Sequence, residues 1–511
     1  MTYGRPGVYL TETLLPAPLS QGPSVNAAGA VAAPFAQGPE TLTLVTSWYD
    51  FTSKFGGYNA AFPATFGVGQ FFNNGGRELY VQRILHSDAT AASVQIDTVG
   101  SVVVSTVTAK NRGADGNNLR INLKTGAITG TYTLEVYREA VPGTTSAVSA
   151  DLLLERYENI LFSDATSVNF AATVINPVSS YITLSTGAVS GTPVTTLYPM
   201  TTGIDGAAVV SSDFTSYAAT TTTVWNRFAS LMRPLVMFIP SINQVLASGQ
   251  VTVINDAISW ANSNNGFFIA ETPAGQSVDT AITYAQSLTD SSNAAIYYPN
   301  IYVADPVGRT GSTRLIGPAG AVAGLYLNTD ATRGVFKSPA GLTAGLKGVI
   351  AVEATFSSTD LDNLNIGLPA AGTGTPAPVN VIRQLPGAGV VVMGGRTLLQ
   401  DGTANRYVSM RRSLIYIEQT LTNMLRSVLF ENNDEKLWQQ INSQIGAFLG
   451  QFRNQGGLRG ATPAQSFYVL CDASNNTVSS IQNGIVNVQV GVALEYPAEF
   501  VVLNLSQITQ A

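Results

Sequence analysis

RRSLIYIEQTLTNMLRSVLFENNDEKLWQQINSQIGAFLGQFRNQGG, residues 411–457, reads as two amphipathic helices in succession. From Met410 the apolar residues Met410, Leu414, Ile417, Leu421, Met424 and Val428 recur at steps of four and three, which lays one stripe along a helix. Asn432, with Glu435 three positions on, has the form of a capping box and opens the second helix. Its stripe is Leu437, Ile441, Ile445, Phe448 and Phe452, and Gly456-Gly457 stops it. Beyond this, Ile485–Leu494 reads as a strand with Val486, Val488, Val490 and Val492 on one face and Asn487 and Gln489 on the other. A last strand covers Phe500–Leu505. Residues 380–511 therefore read as an α+β domain.

Working outward, helices and strands alternate after residue 224: LVMFIP, a helix from about Gln250 to Asn262, GFFIAE, a helix from Asp279 to Leu288, and AAIYYPNIYV. Apolar strands between helices of this length predict a parallel sheet in an α/β layer. Residues 25–88, with strands at Thr41–Val45 and Glu78–Leu85 and helical stretches around Trp48 and Phe66–Phe72, give the first part of that core, and 205–379 the second. The intervening 89–204 is rich in alternating Thr, Val and Ser and reads as a mostly β insertion with one helix at Leu152–Ile160. Residues 1–24 carry Pro6, Pro16, Pro18 and Pro23 around the short apolar run Gly7-Val8-Tyr9-Leu10, an extended arm that cannot be helical. The fold class expected is thus multidomain, α/β and α+β.

Composition narrows the function. Charged residues are only 11% of the 511, against about 25% in an ordinary soluble domain. No apolar run is long enough to span a membrane. A chain this poor in charge fits one whose surface is covered in an assembly, and its 20 arginines against 6 lysines agree with interface usage. The net charge of -6 without a basic block argues against gripping nucleic acid. MTYGRPGVYL lacks the charged start and apolar core of a signal peptide, so secretory export is not expected. The single cysteine, Cys471, lies in the apolar stretch SFYVLC and reads as a buried structural thiol.

The constellations that carry catalysis are not found in the sequence. His86 is the sole histidine, which excludes a multi-histidine metal site, and it reads as an ordinary strand-end residue. Neither G-x-S-x-G nor the phosphate-cradling G-x-x-x-x-G-K-[ST] occurs. Gly387-Ala388-Gly389 starts like a dinucleotide fingerprint, but Val392 takes the third glycine's place. Asp360 and Asp362 read as polar-loop residues, and Asp434 and Glu435 as first-turn charges of a helix. No catalytic, cofactor or metal residue is assigned.

Five segments at ordered spacing carry a resemblance: RRSLIYIEQTL (411–421), FENNDEKLW (430–438), GGLRG (456–460), SFYVLCD (466–472) and YPAEF (496–500). Together they resemble the C-terminal domain of contractile tail sheath proteins of bacteriophage tails and contractile injection systems. RPGVYLTE (5–12), LIGPAGAVAGLYLNTDATRGVFKSPA (315–340) and IRQLPGAGVVVMGGRTL (382–398) extend it upstream, with Arg333–Lys337 as a strand; Met393 and Phe336 stand where the family implies tryptophan. The resemblance implies a non-enzymatic virion structural subunit, assembled in the host cytoplasm. It would polymerise helically around a tail tube and contract to drive the tube through a cell envelope, serving genome ejection in a phage. Its partners would be itself, the tail tube protein, and baseplate and tail-terminator proteins, with no direct nucleic-acid contact and no membrane insertion.

By the same resemblance the C-terminal domain is completed by strands exchanged between subunits, a form of β-augmentation. The donors would be Gly7, Val8, Tyr9, Leu10, Thr11 and Glu12 and Phe500, Val501, Val502, Leu503, Asn504 and Leu505. The acceptor sheet would include Ile485, Val486, Asn487, Val488, Gln489, Val490 and Val492. Lys436, Arg453 and Arg459 are the candidates for facing an acidic tube. An exported surface-layer or adhesin protein, and an α/β enzyme with an inserted β domain, are the alternatives.

Overall fold

The computed structural model describes residues 26–140, 150–187, 191–217, 222–399 and 403–499. They fall into two compact units, one built on Tyr416–Ala493 and the other on Ala27–Ile415 with 494–499. The larger unit is organised by an eight-stranded sheet. Six of its strands run parallel, in the spatial order Val379–Leu385, Ala294–Tyr298, Gly266–Glu271, Leu235–Phe238, Ala28–Ala33 and Leu79–Arg83. These strands are apolar along most of their length because both faces are covered. Val31 and Ala33 join a cluster with Phe71, Phe238 and Tyr326 on one side, while Ala30 and Ala32 join Trp225, Ile258 and Ile282 on the other.

The run AGAVAA is small for a reason of packing. A Cβ on Gly29 would come within 2.7 Å of the Phe71 ring, carried by helix Ala64–Asn73. That helix meets helix Ala319–Arg333 backbone to backbone: a Cβ on Gly320 would collide with the Gly67 carbonyl, and one on Gly324 with the Phe71 carbonyl. Neither backbone can yield without moving its helix, so glycine sets the distance between the two.

Both edges of the sheet are protected. Thr43–Val45, antiparallel to Leu79–Arg83, is only three residues long. At the other edge Gly389–Val392 pairs antiparallel with Val379–Leu385, and its outer side is covered by a loop. There Leu346 N–H donates to the Val390 carbonyl at 2.8 Å and Val392 N–H to the Ala344 carbonyl at 3.0 Å. Gly387 and Gly389, at φ 78° and 74°, form the turn of this hairpin, which accounts for the glycines that begin like a nucleotide fingerprint.

Residues 92–200 enclose a hydrophobic core of their own around Ile121, Leu134, Val136, Phe162 and Ile182. It lies between two antiparallel sheets, one of Leu197–Pro199, Leu119–Thr125, Tyr132–Arg138 and Leu152–Ile160, the other of Ser93–Asp97, Val103–Ala109 and Ile182–Leu184. The segments entering and leaving are stitched together, Thr90 N–H to the Ile204 carbonyl at 3.1 Å and Asn117 reciprocally to Gly203 at 2.8 Å.

Three sequence expectations are corrected. Leu152–Ile160 is a strand rather than a helix: its spacing fits a helix, but Leu134 pairs with Tyr157 and Val136 with Glu155 across the sheet. Tertiary pairing overrides the local pattern. Arg333–Lys337 is a helix end and turn rather than a strand, since Gly334 at φ 96° stops the helix and accepts from Lys337 N–H at 3.1 Å. Asp360 and Asp362 lie in helix Ser358–Ile366, not in a loop, and Asp360 forms a capping box with Ser357.

Candidate functional site

In the C-terminal unit, helix Glu435–Asn454 buries Leu437, Trp438, Ile441, Ile445, Phe448, Leu449 and Phe452, the expected stripe extended by two residues. Its cap is Asp434, not Asn432: the Asp434 carboxylate accepts from Leu437 N–H at 2.9 Å. The charge beside the helix start adds to the hydrogen bond. Asn433 instead accepts from Trp438 Nε1 at 2.9 Å and donates to the Ile485 carbonyl at 3.1 Å. Helix Val408–Arg426 precedes it, with Met410, Ile417 and Met424 buried and Leu414, Leu421 and Val428 half-buried. Tyr416 closes on Phe448 and Phe452 at ring distances of 6.1 and 5.8 Å.

Against helix Glu435–Asn454 packs a sheet of two antiparallel strands, Phe467–Leu470 and Gln489–Val492. Among the described residues neither strand has a second neighbour. The acceptor strand is shorter than the sequence implies. Gln489, Val490 and Val492 are in it, but Ile485, Val486, Asn487 and Val488 are not. At Asn487 the ladder is interrupted by an asparagine knot. Asn487 N–H donates to Asn476 Oδ1 at 2.6 Å, and the Asn487 carbonyl accepts from both the Asn475 and Asn476 amides at 3.1 Å. Backbone groups bound to side chains cannot join a ladder. Cys471 is buried beside this knot, one residue past its strand, and burial pushes its thiol up.

Of the tube-facing candidates, Lys436 and Arg459 are exposed. Arg453 is engaged within the unit, Nε donating to Ser466 Oγ at 2.9 Å and Nη2 to the Ala461 carbonyl at 2.7 Å. The donor residues Gly7–Glu12 and Phe500–Leu505 lie outside the described residues. Leu429 and Phe430, at the tip between the two helices, are exposed, Phe430 with φ 68°.

In the parallel core, the place where α/β proteins hold ligands is the carboxyl end of the strands. Here Glu271 fills it. Its fully buried carboxyl accepts from Ile242 N–H at 3.0 Å and Ala319 N–H at 3.1 Å, the starts of two helices where an anion would otherwise sit. Burial pushes this carboxyl up to about 8 despite the backbone donors. His86 follows its strand by three residues and pairs through Nδ1 with Asp213 at 2.9 Å, a hydrogen bond that raises its pKa. Among the described residues no group of three or more His, Cys, Asp and Glu could hold a metal ion, and no helix is long and apolar enough to cross a membrane.

The open-edged sheet and its two helices lie within residues 400–508, which match the family model of the phage tail sheath C-terminal domain. The C-terminal domain is a tail sheath domain. A tail sheath protein of Vibrio phage KVP40 is 28% identical over 188 residues, 36% of this chain and 26% of the relative. The match thus spans about a quarter of that relative's length. The whole fold is shared with solved sheath structures. The sheath tail protein Lin1278 of Listeria innocua superposes with a TM-score of 0.61 at 12% identity, covering 93% of this chain and 96% of that one. The anti-feeding prophage helical sheath in its contracted state gives 0.58 at 19% identity, covering 99% and 100%. The mixed α/β multidomain architecture is therefore that of sheath proteins, as the resemblance implies.

Sequence reasoning missed Glu271 as a helix cap and the pairing of Arg396 with Glu499, whose side chains meet across 103 positions. Phe336 and Met393, the two departures from the family pattern, both line a cavity of about 440 Å3 beside that pair.

Proposed function

We propose that this chain is the structural subunit of a contractile tail sheath, polymerising helically around a tail tube and contracting to drive it through a target envelope. The observation that carries the reading is the two-stranded sheet of the sheath domain, Phe467–Leu470 and Gln489–Val492, which ends in open edges on both sides among the described residues. A two-stranded sheet is marginal alone, and unpaired backbone groups along an edge are a template for strand addition. The terminal segments Gly7–Glu12 and Phe500–Leu505 of neighbouring subunits are the proposed additions. Each backbone hydrogen bond contributes about 1 kcal/mol net, so one short strand holds weakly and a lattice of them holds firmly. Lys436 and Arg459 are the proposed contacts to the tube. Baseplate and terminator proteins would bound the lattice at its ends.

Negative-stain electron microscopy of the purified chain tests this, comparing full length with deletions of residues 1–20 and 500–511. Hollow tubes or rings formed by the full-length chain and lost in both deletions are the expected outcome. A stable monomer indifferent to the deletions would sink the sheath reading.

A further inference from the structure

The segment that follows strand Gln489–Val492 joins the core unit at Leu494, which is buried. From there most of it is exposed. Glu495, Tyr496 and Ala498 are exposed, the Tyr496 ring lies edge-on to the Tyr407 ring at 6.3 Å, and beneath the segment lies the cavity bordered by Phe336, Lys337 and Met393. At Glu499 the situation changes. Arg396 Nε donates to Oε1 and Nη2 to Oε2, both at 2.8 Å, a side-on bidentate pair. Tyr407 adds a third donor to Oε2 at 3.4 Å.

Arg396 is itself anchored in the sheet. Its third nitrogen, Nη1, donates to the Asn365 carbonyl at 2.9 Å. Its backbone N–H donates to Asn380 Oδ1 at 2.8 Å and its carbonyl accepts from Asn380 Nδ2 at 2.7 Å. Asn380 is buried within strand Val379–Leu385, beside Tyr297 of the next strand. The two charged side chains are 12% and 23% exposed, so water and salt weaken their attraction less than at an open surface.

We infer that Arg396 and Glu499 form a clasp that fixes the point from which the C-terminal donor strand leaves its own subunit, with Arg396 as the positioning residue. This rests on the sheath reading and adds to it the group that sets the strand's departure. Phe500 is the next residue, so the donor segment starts about 3.5 Å along the chain from the clasp, with no slack to absorb misdirection. A pull on the exchanged strand passes through Glu499 and Arg396 to Asn380, and so into the parallel sheet.

The test uses the full-length chain and the variants R396E, E499R and R396E/E499R, each checked for native circular dichroism. Hydrogen exchange of peptides covering 494–499 reads the clasp in the unassembled protein, and microscopy reads tube formation. Each single variant should exchange on the order of tenfold faster there and form on the order of tenfold fewer tubes, and the double reversal should restore both. Single variants that exchange no faster than the parent would overturn the clasp, whatever the tubes do. So would a double reversal that restores neither reading. Faster exchange with undiminished tubes would overturn the positioning role. A parent that keeps 494–499 protected yet never forms tubes would instead remove the sheath reading, and the role in strand placement with it.

Discussion

The parallel core and the C-terminal sheath domain treat their sheets in opposite ways. In the core, eight strands end in a three-residue edge on one side and a loop-covered edge on the other, and both faces are buried. In the C-terminal unit two strands are backed by one helix and both edges are open among the described residues. Edge protection is how natural sheets avoid joining one another. The core sheet therefore has no edge left for another strand, and the C-terminal sheet is the one with room for the strand addition proposed above. Changes in the first should be read in folding, changes in the second in assembly.

The largest effect should come from the core. Gly320→Val drives a branched side chain into the Gly67 carbonyl and should cost about 3 kcal/mol or more, read as a fall in the urea midpoint. If the two helices separate without loss of stability, the core is less finished than the contrast requires. Glu271→Gln comes next. With the folded carboxyl pushed up to about 8 from an ordinary 4.5, the native state holds more protons, so Glu271's contribution is greatest below about pH 4.5 and is lost as pH rises through about 8. The wild type should lose stability over that window by about 1.4 kcal/mol per pH unit at most, and the glutamine variant should flatten the slope in urea titrations at pH 5 to 9.

Asp434→Ala should destabilise the C-terminal unit by about 1 kcal/mol through loss of a helix cap, seen as faster amide exchange confined to residues 435–438. Exchange rising across the core strands as well would show the two regions to be energetically one. Smallest in stability are Lys436→Glu and Arg459→Glu, exposed positions where the change should stay within about 0.5 kcal/mol. Sedimentation with purified tube protein should show their effect on tube binding while self-assembly is kept.

Core strands Leu235–Phe238, Gly266–Glu271 and Ala294–Tyr298 were legible because they are unbroken apolar runs between helices of ordinary length, a pattern that burial on both faces imposes, whereas Ala28–Ala33, made of small residues, was not read as a strand. Helix Glu435–Asn454 was legible through its stripe, although its cap lay two residues later than the pattern Asn432–Glu435 indicates. What stayed hidden depended on distant partners. Leu152–Ile160 is a strand because Tyr132–Arg138 lies beside it, and the strand expected from Ile485 is interrupted at Asn487, whose backbone Asn475 and Asn476 take. The two helices of the C-terminal unit were legible through family resemblance as well as through their stripes. The clasp at its exit was not, since nothing local in Arg396 or Glu499 points to the other.

The glycine contact between helices Ala64–Asn73 and Ala319–Arg333 has a consequence for sequence change over time. A join made of side chains can be rebuilt in steps, one residue shrinking as its neighbour grows. A join made of two main chains offers no such exchange, because no substitution elsewhere can make room for a Cβ that meets a carbonyl. Positions 320 and 324 therefore face a ceiling on volume that compensation does not lift, while the apolar residues around them remain free to trade size.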